Sequence, residues 1–353
     1  MDEITAWLSA LLDFNTTADG GDARRCIDFI GQTLSRCGAG VRTFTTPGSR
    51  REGCHLLAEI PGDSPDAVLL HAHLDTADYG PRQMWLFPAD RASRRRGCIC
   101  GRGALDCKGP LAVWMKLLSD AAETKPHRRA LKLLVSDLEE QGGEEGLGLL
   151  LTLHPEILSG VKLAIGEGGG FPFPFRGRTW YTFQTWERDP EKGRPPDTEE
   201  EEADREQAFR ILSMGIEKGY YSAAILPYAS EAEDLPGRKL DIRPLYAGVE
   251  SFFETAPSSR VYDLFGEAFE AALREEVPDA CLMPCITPGK SDNRLLRNAG
   301  VPVIGFFPLD IRNSLSGIHG TDEYISEASL ALAYRTMSRV LSRLLTEGDD
   351  PSC

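Results

Sequence analysis

Positive charge and histidine are both scarce in this chain. Its 353 residues hold 39 Lys and Arg against 54 Asp and Glu, a formal net charge of −15 at pH 7, and only six histidines. A phosphate backbone is gripped by basic patches, so the balance argues against a nucleic-acid partner. The one basic triplet, Arg94-Arg95-Arg96, is isolated and reads as a solvated loop. Long apolar runs are missing too. No window approaches the ~20 apolar residues of a membrane span. The opening MDEITAWLSALLDF is acidic where a secretion signal is basic, and its apolar residues are spaced as on a helix. Nine cysteines, an odd number without a secretion signal, suggest reduced thiols and a cytoplasmic location. Cys98-Ile-Cys100 and the pair Cys281 and Cys285 lack partners at the spacing of a structural zinc site.

What is present is an ordinary globular composition, 41% apolar and 26% charged, in a chain longer than one core usually supports. Helical periodicity predicts helices over 2–12, 22–36, 109–122, 144–153 and 327–345. Short apolar runs predict strands over 54–60, 67–73, 130–137, 161–167 and 301–307. Strands alternating with helices imply an α/β fold, a mostly parallel sheet with helices on both faces. The character changes near residue 177. A polar stretch over 188–207 precedes an expected helix (204–218), strand (239–247) and helix (259–276). Residues 177–286 therefore read as a small α+β insertion between a first part, 1–176, and a second, 287–353.

Five clusters of polar residues sit at the ends of these elements. HAHLDTAD (71–78) closes a buried strand, and His71, His73 and Asp75 alternate onto one face if the strand continues. Histidine–x–histidine also occurs in β/α-barrel amidohydrolases and in metallo-β-lactamase folds. The first wants more histidines at later strand ends, and the second wants one at position 76, where this chain has threonine. GRGALDCKGP (101–110) puts Asp106 in a Gly-bounded turn before a helix, where it could simply cap that helix. SDLEEQGGEEG (136–146) sets two glutamates side by side. Adjacent carboxylates repel, so they need a cation or different tasks, unless the turn is merely an acidic surface. AIGEGGG (164–170) ends a strand on Glu167, and SGIHGTDEYI (316–325) sets His319 between glycines.

In this order the five clusters resemble the co-catalytic metallopeptidases, the family of aminoacylase, acetylornithine deacetylase, succinyl-diaminopimelate desuccinylase, carboxypeptidase G and the carnosinases. GRGALDCKG is the most specific match, and TPGKSDNRLLRNAGVPVIGFFPL (287–309) is similar to the family's segment before the last ligand. The resemblance implies a zinc-peptidase-like catalytic domain carrying an inserted lid. It implies two divalent metal ions, Zn²⁺ foremost with Mn²⁺ or Co²⁺ as alternatives. His73 and Glu167 would hold one, Glu140 and His319 the other, and Asp106 would bridge them. Asp75 would orient His73, Glu139 would act as general base, and His71 would pack behind. The implied reaction is hydrolysis of an amide bond in a dipeptide-like or N-acyl amino-acid substrate.

Two departures qualify this expectation. Leu138 stands where the family often has an acidic residue. No histidine lies between His154 and His319, whereas typical lids carry one that reaches the partner subunit's site and stabilises the oxyanion. Arg243, Asn293 and Arg294 are candidate replacements on charge and hydrogen-bonding capacity. The lid reads as reduced or rebuilt, and a homodimer through it is in question. The alternative function is a metal-binding, catalytically weak relative that acts as a binding or regulatory protein.

Overall fold

Ala67–His73 and Ala130–Ser136 are strands with no exposed position. Their apolar side chains leave on both faces, so each face requires a layer of helices. The computed structural model describes residues 1–124, 126–175, 177–187, 259–287, 291–315 and 317–346. In chain order its strands are β1 (Gly40–Thr46), β2 (Gly53–Ile60), β3 (Ala67–His73), β4 (Ser93–Arg95), β5 (Cys98–Cys100), β6 (Ala130–Ser136), β7 (Val161–Gly166), β8 (Pro172–Phe175), β9 (Arg178–Glu187), β10 (Ala280–Thr287), β11 (Val303–Gly305) and β12 (Tyr324–Ser326). Nine of them make one sheet in the order β1-β2-β6-β3-β7-β11-β9-β10, with β8 beside β9. The remaining three form a small sheet, β12-β5-β4. The central run β6-β3-β7-β11 is parallel, and β2 and β9 flank it antiparallel. This is the mixed, mostly parallel sheet that the alternation of elements implies.

The helices are α1 (Asp2–Leu12), α2 (Ala23–Arg36), α3 (Lys108–Glu123), α4 (Leu149–Leu153), α5 (Ser259–Arg274), α6 (Asn293–Asn298) and α7 (Glu327–Thr346). Strand alternation sorts the core into two layers. Leu56, Val68, Leu70, Leu133 and Ile165 face a cluster supplied by α1, α2, α3, α5 and α7. Their neighbours Leu57, Leu69, Leu134 and Ala164 face α4 and α6. Pro110 sits in the first turn of α3, where its missing N–H costs nothing. A Cβ on Gly109 would stand 2.3 Å from the Ala104 carbonyl oxygen, so only glycine lets this helix start so close to the preceding turn. Among the described residues no helix is long and apolar enough to cross a membrane.

The main layer extends further than the composition suggests. β9, α5 and β10 fall inside the stretch 177–286 assigned to the insertion, yet β9 pairs with β11 and β10 with β9. Phe269 of α5 meets Phe183 of β9 and Phe306, with ring centroids 5.4 and 5.2 Å away. The expected helix over 204–218, the strand over 239–247 and Arg243 lie outside the described residues. The sheet topology also locates a crevice. The chain passes from β3 to its neighbour β6, then to β7 on the other side of β3. Where the order reverses, loops at the strands' C-terminal ends diverge and leave room for a ligand.

Candidate metal centre

Four of the five clusters leave the sheet or the small sheet at that crevice. His73 ends β3, Glu139 and Glu140 follow β6, Glu167 follows β7, and Asp106 lies between β5 and α3. The fifth, with His319, precedes β12, which pairs with β5 and so brings Glu323 beside the Asp106 turn. The turn after β6 needs unusual backbone: Leu138, Gly142 and Gly143 have φ of 69°, 102° and 76°. Glycine meets this at little cost, and Gly143 has a second reason. A Cβ there would stand 2.3 Å from Asp292 Oδ1.

The two oxygens of Asp106 face different partners. Oδ1 lies 3.1 Å from His73 Nε2, which is also 3.4 Å from Glu167 Oε2. Oδ2 lies 3.1 Å from His319 Nε2, itself 3.1 Å from Glu140 Oε2. Donor atoms bound at about 2.1 Å to a tetrahedral cation stand roughly 3.4 Å apart, so these spacings fit two cations sharing Asp106. Donor atoms of Asp106, Glu140 and His319 all lie within 4.8 Å of one another, and so do those of His73, Glu167 and a residue that the sequence reading passed over, Cys107.

Charge in the cluster agrees with a cation site. Burial disfavours the His73 imidazolium, but the charge of Glu167 and the hydrogen bond to Asp106 outweigh it and raise its pKa well above the usual value. Hydrogen bonds to Asp106 and Glu140 push His319 up to about 10. Asp106 is held far below the carboxylate range by the two histidines, against its burial. Burial raises Glu167 and Cys107. Without a cation, then, protons on two imidazoles neutralise the converging carboxylates. A divalent ion bound through the imidazole lone pairs would do the same.

The surroundings hold His73 and Glu140 in place. His73 Nδ1 meets the Asp75 backbone oxygen at 2.9 Å, with the Asp75 carboxylate 3.6 Å away. That carboxylate accepts instead from the Glu140 backbone N–H at 3.0 Å. Glu140 Oε1 accepts from the Ala77 N–H at 2.8 Å. Asp75 thus ties the β3 and β6 loops together. Glu139 is half-buried. Burial, then the negative charges of Glu167, Asp292 and Asp106, raises its pKa well above the usual value, against the opposing pull of His73. His71 is fully buried and its Nε2 lies 2.9 Å from Ser136 Oγ, which donates to Asp292 Oδ2 at 2.7 Å.

Asn293 and Arg294 have defined partners. Asn293 is wholly buried and donates to the Glu167 carbonyl at 2.9 Å and to Gln184 Oε1 at 2.7 Å, bracing the loop that carries Glu167. Arg294 binds the Gly142 carbonyl and Glu144, 2.8 Å away. Besides Cys107, the sequence reading missed Arg102, Glu323 and Asp292. Each lies within a quoted motif, but its role depends on a contact with a distant segment. Glu323 accepts from the backbone N–H groups of Gly103, Leu105 and Asp106 at 2.9, 2.8 and 3.0 Å.

The fold that carries this crevice is matched by known proteins. The chain belongs to the peptidase family M20/M25/M40, whose profile matches residues 69–343. It is 34% identical over 111 residues to a cysteinylglycine-S-conjugate dipeptidase of Corynebacterium striatum, covering 31% of this chain and 24% of that protein. It is 27% identical over 124 residues to a probable succinyl-diaminopimelate desuccinylase of Staphylococcus aureus, covering 35% of this chain and 31% of that one. The alignments thus span a quarter to a third of these curated relatives. Among solved structures, human carnosine dipeptidase 1 superposes with a TM-score of 0.63 at 15% identity, over 96% of both chains. The M20 family metallo-carboxypeptidase Sso-CP2 of Sulfolobus solfataricus gives 0.65 at 16% identity, over 97% of this chain and 99% of that one. At such identities the superpositions show a shared fold.

Proposed function

We propose that this chain is a metal-dependent hydrolase holding two divalent cations and cleaving an amide bond in a dipeptide-like or N-acyl amino-acid substrate. The observation that carries the proposal is Asp106, whose two carboxylate oxygens each stand 3.1 Å from a different histidine. His73 and Glu167 complete one half of the centre, Glu140 and His319 the other. Zn²⁺ suits two imidazoles with three carboxylates, and Mn²⁺ or Co²⁺ suit the same donors. When bound, two such ions polarise a carbonyl oxygen and lower the pKa of water toward neutrality. Glu139 accepts the proton of the attacking water and delivers it to the leaving nitrogen. The substrate class rests on family membership and on the named activities of the relatives. We assign the protein to the cytoplasm, on its odd number of cysteines and on the free state of the seven whose side chains are described.

A second reading, a metal-binding relative with weak catalysis, is favoured by the lack of any histidine between His154 and His319. One experiment addresses both. Metal content is measured on protein purified without chelator, for wild type and for Glu140→Ala and His319→Ala, and hydrolysis is assayed on dipeptides and N-acyl amino acids. Two equivalents in wild type, about one in each variant, and turnover that needs Glu139 support the hydrolase. Two equivalents with no turnover on the panel favour the second reading. Little or no metal removes both.

A further inference from the structure

Between β3 and β4 the chain runs through DTADYGPRQMWLFPAD (75–90), whose apolar middle is unusual for a surface loop. Trp85 anchors it. The ring is 9% exposed, its Nε1 donates to the Tyr79 carbonyl at 2.8 Å, and the Arg102 guanidinium lies over its face. Trp85 has extended backbone, with φ −83° and ψ 134°, so the side chains on either side of it leave in the opposite direction. Met84 is 62% exposed and Leu86 82%, the two highest values for large apolar residues among the described residues.

This apolar pair is tied to the metal centre. The Leu86 N–H donates to Asp322 Oδ1 at 2.7 Å, and Asp322 lies three residues beyond His319. Arg102, stacked on Trp85, donates to the Gly320 carbonyl beside His319 and to the Asp78 carbonyl, so one guanidinium fixes the loop against both segments. The loop's own charges are either engaged or negative. Its one cation, Arg82, stands 2.5 Å from Asp90 and 4.5 Å from the Tyr79 ring centroid, while Asp78 is exposed.

We infer that Met84 and Leu86 are specificity-determining residues, the apolar lip of the crevice, and that they receive an apolar side chain or acyl chain next to the scissile amide. The inference rests on the hydrolase reading above. Apolar surface with a few fixed polar groups beside it is the ordinary lining of a small-molecule site. An apolar group docked on the lip removes its own surface and that of both side chains from water together. An anionic group in the same place loses its water, meets no unengaged cation of the loop and is repelled by Asp78. The lip therefore discriminates against a substrate with a second carboxylate, such as a succinyl amide, in favour of one with an alkyl chain. Trp85 and Arg102 act through the loop as positioning residues, since they hold the lip against the His319 segment.

The test compares kcat/KM of the metal-loaded protein across two matched sets. One holds the N-acetyl, N-butanoyl, N-hexanoyl and N-succinyl derivatives of a single amino acid, and the other holds dipeptides with leucine or aspartate at either position. The position at which the preference shows says whether the apolar group sits on the acyl or the amine side. Wild type should favour apolar over anionic members by about tenfold or more, the worth of one or two methylenes in an apolar pocket. Leu86→Lys and Met84→Lys should each cut that ratio by about tenfold, lowering the apolar rate and raising the anionic one. A merely structural defect would lower both rates together. A wild type that prefers the anionic members, or ratios unchanged in both variants, would overturn the inference and leave the hydrolase standing. Unchanged ratios with an altered oligomeric state in Leu86→Lys would overturn it as well and give the patch to a second copy of the chain. No turnover on any member would remove the hydrolase reading, and this one with it.

Discussion

Arg102 Nη1 and Glu323 Oε2 stand 2.7 Å apart, and neither side chain is more than 2% exposed. The pair lies at the junction of three loops. Glu323 collects backbone N–H groups of the Asp106 turn, while Arg102 donates to the Gly320 carbonyl beside His319 and to the Asp78 carbonyl beyond Asp75. The Arg102 guanidinium also lies over the Trp85 ring, 5.2 Å from its centroid. Removing one partner of such a pair leaves the other charge buried without compensation, which costs about 3–5 kcal/mol. Glu323→Ala should lose about that much in denaturant unfolding of the apo protein, and Glu323→Gln less. A midpoint equal to wild type for Glu323→Ala would show that the pair is not holding the loops.

Glu139 is the proposed proton carrier and is not among the five residues proposed to hold the cations, so its loss should separate chemistry from metal binding. Glu139→Gln should lower kcat by about 10²–10⁴-fold, the usual worth of a positioned acid–base group. The metal content should remain that of wild type. Unchanged turnover at full occupancy would assign the proton transfer to another group.

Asp106 serves both halves, so its replacement should be worse than that of any other ligand. Asp106→Ala should release both equivalents on dialysis, against about one for Glu140→Ala. Chelation of the wild type should abolish hydrolysis, and added Zn²⁺ should restore it. An Asp106→Ala protein that still holds two ions would refute the bridging role.

His55 gives the fold a dependence on acidity. The ring is wholly buried; its Nδ1 accepts from the Asp137 N–H at 3.2 Å and its Nε2 lies 3.0 Å from Thr46 Oγ1, an arrangement that requires the neutral ring. Burial, with a smaller contribution from Arg51, lowers its pKa from 6.5 to about 4. Between those values the unfolded chain binds a proton that the folded chain refuses. The contribution is therefore fully present above pH 6.5 and is lost as pH falls toward 4, on the order of 3 kcal/mol in all. Denaturant unfolding across pH 4–7 should show a shallower slope in His55→Gln than in wild type. Equal slopes would mean that the ring is protonated in place.

Gly143 combines a φ of 76° with a Cβ position 2.3 Å from Asp292 Oδ1. The left-handed backbone alone costs an alanine about 1–2 kcal/mol, and the clash adds to it. Gly143→Ala should lower the unfolding midpoint and displace the turn that carries Glu139 and Glu140, so turnover should fall more than stability alone explains. Wild-type kinetics in a folded Gly143→Ala protein would show that Asp292 can move aside freely.

Much of the scaffold was legible because its signals are local. The expected helix over 2–12 and the strand over 67–73 match α1 and β3 to the residue. An amphipathic period and an unbroken apolar run depend only on neighbours in the chain. β9 and β10 were not legible as part of the main sheet. What makes them strands is pairing with each other and with β11, far away in sequence. The expected strand over 301–307 is real but pairs only over Val303–Gly305, because the residues beyond it turn toward the Glu167 loop.

The same division runs through the site. The residues by themselves marked five polar clusters at element ends, and the family resemblance of their order implied which carboxylates and imidazoles could serve. Tertiary structure decided how they are shared. That Asp106 turns one oxygen to each histidine, that Asp75 meets His73 through its main chain, that Asn293 braces Glu167 from behind, and that Glu323 stands beside Asp106 all follow from loops converging where the strand order reverses. Those contacts join residues up to 220 positions apart. Hydrogen bonds and coordination depend on distance in space, and only the packed sheet brings those distances down to about three ångströms.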